Sequence, residues 1–194
     1  MKSIESTHII DIDTYTQKRP AYRAQALALK KNRRVEVGPH AAFYFENYDT
    51  MWHQVHEMLY IEKGGEEQLI EELEAYNPLI PQGNNLIATV MFEVTDKDER
   101  LKFLYTIPQV DKHFVLTINE DQIYGKPTDD IARTTPDGKA SSVQFAQFDL
   151  NADQIDAFCD TAATVSVAIN HKNYTHETTL NLPIRQALIQ DLDS

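Results

Sequence analysis

The sequence predicts an α+β fold, with N-terminal helices, including a helical hairpin, packed on a mostly antiparallel sheet or open barrel. Two observations predict it. Residues 1–82 carry helical periodicity punctuated by Gly and Pro, whereas from residue 84 the chain breaks into short runs rich in β-formers. Helices followed by strands, rather than alternating with them, place the two kinds of structure in separate layers. The 194 residues are read as one domain, mainly helical over 1–82 and mainly strand over 83–194.

The elements follow in order. Asp13 is placed to cap a short first turn. Pro20 suits the first position of a longer helix, where its missing N–H would have no partner anyway. That helix is expected to run to about Arg34. Tyr22, Ala26, Leu27 and Leu29 supply its apolar residues, and Lys30, Lys31, Arg33 and Arg34 complement its negative C-terminal end. Val35 to Pro39 breaks it. Phe43-Tyr44-Phe45 is a compact aromatic run, open to strand or helix. Asn47 or Asp49 caps a helix over 48–62, ended by Lys63-Gly64-Gly65. A third helix is expected over 66–76, with Glu66 and Glu67 at its positive end and Asn77-Pro78 as its stop. The last two form the antiparallel hairpin.

Residues 86–94 are almost continuously apolar and predict a central strand. Further strands are expected at 101–107, 114–119, 122–124, 143–150, 164–170 and 175–182, in a sheet of roughly five to seven strands. Asn119 to Asp121 predicts a hairpin turn, and 125–141 a long loop. Asn151 with Gln154 forms a capping-box pattern that opens a helix over 152–161, and Pro183 starts a last helix over 183–192.

Composition limits function. The formal net charge is −12, which disfavours broad nucleic-acid binding, because phosphate neutralisation supplies most of that affinity. Eight Lys/Arg stand against three acids in residues 1–34, so this basic segment is expected to dock on the acidic body or on an acidic neighbouring subunit. No apolar run reaches the ~20 residues of a membrane span. Residues 1–15 hold no signal-peptide h-region, and Cys159 is the single cysteine. A cytoplasmic protein is expected, and a homodimer is open. Walker, GxGxxG and G-x-S-x-G motifs are absent.

The stretch from Glu46 to Glu62 is richest in chemistry. On a helix, His53, His56, Glu57 and Tyr60 stand at i, i+3, i+4 and i+7 and share one face. Imidazoles and a carboxylate one turn apart can bind zinc, iron or manganese, and a Glu beside a metal can act as a base. The order H-Q-V-H-E matches neither zincin motif, and such a face also occurs as an ordinary hydrogen-bonded surface. Completing ligands would come from Glu93, at an apolar strand end, and from His171. The competing partner for Glu93 is an arginine, Arg33 or Arg34. Cys159 falls in an apolar stripe with Ile155 and Phe158, which points to packing rather than nucleophilic chemistry.

Arg33-Arg-Val-x-Val-Gly-Pro39, Phe45-Glu-Asn-x-x-Thr-Met51, Gln54-x-x-Glu-Met-Leu59, Tyr76-Asn-Pro-Leu-Ile-Pro81 and Asn170-His-x-x-Tyr174 occur together in this chain. This string resembles an uncharacterised bacterial domain-of-unknown-function family of about 200 residues, over nearly the whole chain. The family is often encoded near rubrerythrin and iron–sulfur oxidoreductase genes. The resemblance implies motif status for Glu46, Gln54, Glu57 and Glu62, and a redox protein as partner. Two functions are therefore expected. One is a non-enzymatic cytoplasmic accessory or interaction protein linked to redox or peroxide metabolism. The other is a metal-dependent or small-ligand-binding enzyme. Its site would lie between the 48–62 helix and the sheet, with Glu57 as ligand or base, His53, His56, Glu93 and His171 as ligands, and a divalent metal ion as cofactor.

Overall fold

The computed structural model describes residues 2–128 and 132–193. Eight strands form two antiparallel four-stranded sheets and no closed barrel. The first sheet has the order β1 (Arg34–Val37), β2 (Ala41–Phe45), β3 (Asn85–Phe92) and β6 (Val143–Asp149); the second has β5 (Asp121–Tyr124), β4 (Phe114–Ile118), β7 (Val165–His171) and β8 (Tyr174–Thr179). The main core fills the space between them. Leu86, Ala88, Val90 and Phe92 point inward from β3, and Phe43 meets Phe114 across the gap with ring centroids 5.5 Å apart. Ile87, Thr89 and Met91, on alternate positions of β3, therefore face the other way. That outer face is covered by α2 (Tyr48–Glu62) and α3 (Gly65–Tyr76), the expected hairpin, through Met51, Val55, Leu79 and Ile87.

The long N-terminal helix α1 (Ile12–Lys31) packs along α2. It starts earlier than the sequence indicates. Asp11, not Asp13, is the N-cap, its side chain accepting from the Thr14 N–H, and Pro20 lies inside the helix. Leu27 does not join a buried stripe; it is 71% exposed. Beyond α1, the chain from Arg34 is strand β1 rather than a plain break. The hairpin turn between α2 and α3 also differs in detail: Lys63, with φ of 55°, takes the left-handed C-cap position expected of a glycine.

One expected strand is a helix. Of the expected strand at 101–107, residues 101–106 belong to α4 (Lys97–Thr106) and Ile107 is its C-cap. The Asp96 side chain accepts from the Asp98 and Glu99 N–H groups, and those two acids occupy the positive first turn. The alternation of Leu101, Phe103 and Tyr105 imitates a strand, but the cap decides. The two-sheet arrangement replaces the single sheet of five to seven strands; β2 is the aromatic run that the sequence left open, and β1 lies where only a helix break was expected. The hairpin turn at Asn119, the capping box at Asn151 and Gln154, and the last two helices, α5 (Ala152–Cys159) and α6 (Leu182–Ile189), stand as expected. Residues 129–131 of the expected loop lie outside the described residues. Among the described residues, no helix is long and apolar enough to cross a membrane.

Much of the basic N-terminal segment meets acids elsewhere. Lys2 reaches Asp193, Arg19 reaches Glu57, Arg33 reaches Asp191, and Arg34 reaches Glu36 and Glu93.

Candidate functional site in a cleft beneath the helical hairpin

Helix α2 displays its chemistry on the register the sequence sets, but its polar groups are largely engaged. Glu57 accepts both Nε and Nη2 of Arg19 at 2.9 Å and the Tyr15 hydroxyl at 2.7 Å. The Arg19 guanidinium is the main reason that Glu57 is held down to about 2, against partial desolvation. A carboxylate so low is a weak base. The Tyr15 hydroxyl is pushed up by burial and by Glu57.

His56 is buried and fixed as one neutral tautomer. Its Nδ1 donates to the Trp52 carbonyl at 2.7 Å, and its Nε2 accepts the Ile10 N–H at 3.2 Å. Desolvation lowers its pKa. His53 is also lowered by desolvation, and its buried Nε2 has no hydrogen-bond partner.

The remaining expected ligands are elsewhere. Glu93 binds Arg34 Nη2 at 2.8 Å and the Tyr44 hydroxyl, so the arginine reading of this carboxylate is the one seen, with Arg34 as partner. Glu93 is partly exposed rather than buried, and Arg33 turns to Asp191 instead. His171 ends β7 in the second sheet, on the far side of the first sheet from α2. There its Nδ1 accepts the Asn173 N–H and its ring meets His113 edge-on. Among the described residues, no group of three or more His, Cys, Asp or Glu is placed to hold a metal ion. The structure therefore does not bring Glu57, His53, His56, Glu93 and His171 together as one ligand set. Cys159 is a free, half-buried thiol packed against the core.

A different constellation lies between α2 and the outer face of the first sheet. It is a cleft of about 330 Å³. Its floor is β2, β3 and β6, through Tyr44, Thr89, Met91 and Phe145. Met51 and Gln54 of α2 and Tyr76 of α3 form its walls, and Lys30 of α1 stands at its edge. Glu46 lies within it.

Three local features place Glu46. It follows β2 directly, and its N–H donates to the Ile87 carbonyl, which extends the pairing of β2 with β3. Asn47 next to it is the N-cap of α2, in a reciprocal box with Thr50. The register Tyr44↔Thr89 then brings Thr89 under the carboxylate. As a result Thr50 Oγ1 donates to Glu46 Oε2, and Thr89 Oγ1 to Oε1, each at 2.7 Å. Glu46 is 6% exposed, yet no Lys, Arg or His among the described residues comes within ion-pair distance of it. Buried carboxylates normally have a cationic partner, because hydroxyl donors replace only part of the lost hydration.

The other polar groups of the cleft are half-buried. The Tyr44 hydroxyl accepts Arg34 Nε at 2.8 Å while donating to Glu93. Burial raises the pKa of both Tyr44 and Tyr76, so both phenols stay protonated. Sequence reasoning marked Glu46 and Gln54 only through family motifs and did not place Tyr44, Tyr76 or Thr89 in a site. A signal for Glu46 was present: a carboxylate directly after the apolar run Phe43-Tyr44-Phe45, the same pattern that singled out Glu93.

Three hollows are larger. That of about 650 Å³ is an open surface depression lined by His40, Glu93, Asp96 and Lys97. The other two carry less chemistry. One, of about 580 Å³, is lined by Ile9, Ile12, Leu59 and Leu69 around Tyr15 and His56, whose polar atoms are already engaged. The other, about 680 Å³, is a more open groove under α3.

A family model described as "Protein of unknown function (DUF3501)" matches residues 3–192. Comparison with curated proteins finds no match. The chain is similar to a protein of unknown function from Burkholderia pseudomallei K96243, seen in a crystal structure at 29% identity and a TM-score of 0.90. The alignment covers 99% of this chain and 100% of that one.

Proposed function

The chain belongs to the DUF3501 family, and from the site its fold builds we propose that it binds a small organic ligand in the cleft between α2 and the first sheet. The observation that carries this reading is Glu46: a carboxylate nine-tenths buried, held by two threonine hydroxyls, lining a cleft and without a cationic partner among the described residues. A buried carboxyl group held only by hydroxyls in a hollow of ligand size is a reason to look for a bound partner. Apolar and aromatic walls with a few fixed polar groups are the usual make-up of such sites.

The test is thermal unfolding against a panel of amines, amino acids, carboxylic acids and sugars, on the wild-type chain and on Glu46→Gln. A ligand present at a hundred times its Kd should stabilise the wild type by about 2.7 kcal/mol. Glu46→Gln keeps the side-chain shape and removes the charge, so the stabilisation should be lost. The reading fails if no compound raises the midpoint, or if those that do act equally on the variant.

A second reading has its own observation. Leu27, Ile61 and Ile70 are 71%, 63% and 59% exposed on the helical layer. Apolar side chains so placed favour an accessory protein that docks on a partner through its helices. By the implied gene neighbourhood that partner would be a cytoplasmic redox protein. Leu27→Glu with Ile61→Glu should then abolish co-elution with such a partner while leaving the fold intact. Unchanged co-elution would exclude this face.

A further inference from the structure

We propose that the ligand of the Glu46 cleft is a small zwitterion of amino-acid size, its ammonium held at Glu46 and its carboxylate at Lys30. This rests on the ligand-binding reading above and adds the ligand's chemistry.

Two opposite charges line one cleft and do not pair. Among the described residues the Glu46 carboxylate accepts only from Thr50 and Thr89, and the ammonium of Lys30, a half-buried residue in the last turn of α1, makes no hydrogen bond or ion pair. Had the two side chains been able to meet, an ion pair would have satisfied both. In the structure they stand beyond ion-pair distance, Lys30 on α1 and Glu46 directly after β2.

The carboxylate's remaining capacity is specific. A carboxylate has about four acceptor positions, and the two threonines fill one on each oxygen. What remains suits the N–H donors of an ammonium group. Nearby, the Tyr76 and Phe145 rings line the same cleft, and aromatic faces attract cations.

Lys30 supplies the opposite requirement. A simple amine would satisfy Glu46 and leave Lys30 unpaired. A simple acid would satisfy Lys30 and bring a second negative charge toward Glu46. Only a molecule with both groups answers both ends of the cleft.

Size narrows the class further. A volume of about 330 Å³ lies at the small end of ligand pockets, which run from roughly 300 to 1,000 Å³, and suits a ligand of amino-acid size.

The experiment is methyl NMR of the full chain carrying ¹³C-methyl methionine, read at Met51 and Met91, which both line the cleft. Three probe sets are titrated separately: free α-amino acids, the matching primary alkylamines, and the matching carboxylic acids without the amine. The expected result is saturable shifts of both methyls with one or more amino acids. Binding should be at least tenfold weaker for the matching amine and for the matching acid. Glu46→Gln and Lys30→Met should each weaken amino-acid binding at least tenfold, with the methyl spectrum of the unliganded variants confirming that they fold. Amines or acids binding as tightly as amino acids would overturn the zwitterion and leave the ligand cleft standing. Shifts unaffected by Lys30→Met would overturn the role of Lys30. No shift with any set would overturn the proposal outright, and the wider panel would then decide the ligand reading separately.

Discussion

Arg33 and Asp191, near opposite ends of the chain, form a buried two-pronged ion pair: Nη1 lies 2.7 Å from Oδ2 and Nη2 lies 3.0 Å from Oδ1. Arg33 Nη2 also donates to the Ala187 carbonyl on α6 at 2.9 Å. The pair thus fastens the end of α1 and the start of β1 to the C-terminal helix. Removing one member strands the other charge away from water. Asp191→Ala should cost about 3–5 kcal/mol of unfolding free energy, measured by urea denaturation. Arg33→Met with Asp191→Leu should recover most of it, since no charge is then left unpaired. A loss below about 1 kcal/mol in the single variant would show that water reaches the pair.

Glu57 ties α1 to α2 through Arg19 and Tyr15, and the tie has a pH signature. Its pKa falls from 4.5 to about 2 on folding, chiefly through Arg19. A depressed acid contributes stability above its unfolded value and loses it as pH falls toward the folded one. The contribution is therefore complete above about pH 5 and fades between pH 4.5 and 2. Glu57→Gln should lower the urea midpoint at pH 7, and the gap from wild type should close on acidification through that window. A gap constant down to pH 2 would mean that the ion pair contributes nothing through charge.

His56 acts in a higher range. Burial depresses its pKa below 6.5, against the opposing hydrogen bond to Trp52. The folded state therefore prefers the neutral ring. Its stabilisation is present above the unfolded value near 6.5 and is lost as pH falls through the folded value. Protonation would also turn the acceptor of the Ile10 N–H into a donor, loosening the N-terminal segment. His53 and His171 are lowered for the same reason. Each such proton contributes at most about 1.4 kcal/mol per pH unit to the slope. His56→Gln offers an acceptor to Ile10 and a donor to Trp52 without titrating. Its stability profile between pH 6.5 and 5 should be flatter than wild type, by up to one proton. An identical slope would place the proton uptake elsewhere.

What could be read from the sequence divides along physical lines. Local signals were sufficient where one residue type has one use. Asn151 with Gln154 forms the reciprocal box at the start of α5, Asn47 caps α2, and the apolar run after residue 84 is the central strand β3. They misled where two patterns overlapped. Leu101, Phe103 and Tyr105 alternate like a strand while Asp96 caps a helix. Likewise Pro20 reads as a helix start although Asp11 had already opened α1. The position of the proposed cleft could be read from the sequence, but its lining could not. The helix 48–62 does cover the sheet, and a cleft lies between them. Which side chains enter it depends on the register Tyr44↔Thr89 and on where α1 ends above the sheet, and no local spacing encodes either. Lys30, Glu46, Tyr76 and Thr89 are joined only by tertiary folding.

Gly38, in the turn between β1 and β2, is held against the second sheet, and this contact should be among the least tolerant in the chain. Its φ is +70°, and a Cβ built there would lie 2.5 Å from the His176 ring and 2.7 Å from the Tyr174 hydroxyl oxygen. That hydroxyl cannot easily yield. It donates to the Val37 carbonyl at 2.7 Å and accepts the His40 N–H at 3.0 Å, clasping the turn to β8. Gly38→Ala therefore meets two costs: a left-handed backbone, about 1–2 kcal/mol by itself, and displacement of Tyr174 from the core. Gly138 separates them. Its φ is +93°, but nothing lies within 4 Å of a Cβ placed there. Gly138→Ala should show the backbone cost alone, and Gly38→Ala should exceed it by at least about 1 kcal/mol in urea denaturation. Equal losses in the two variants would mean that the Tyr174 clasp gives way without cost, and that the two sheets are held together by their apolar core rather than by this contact.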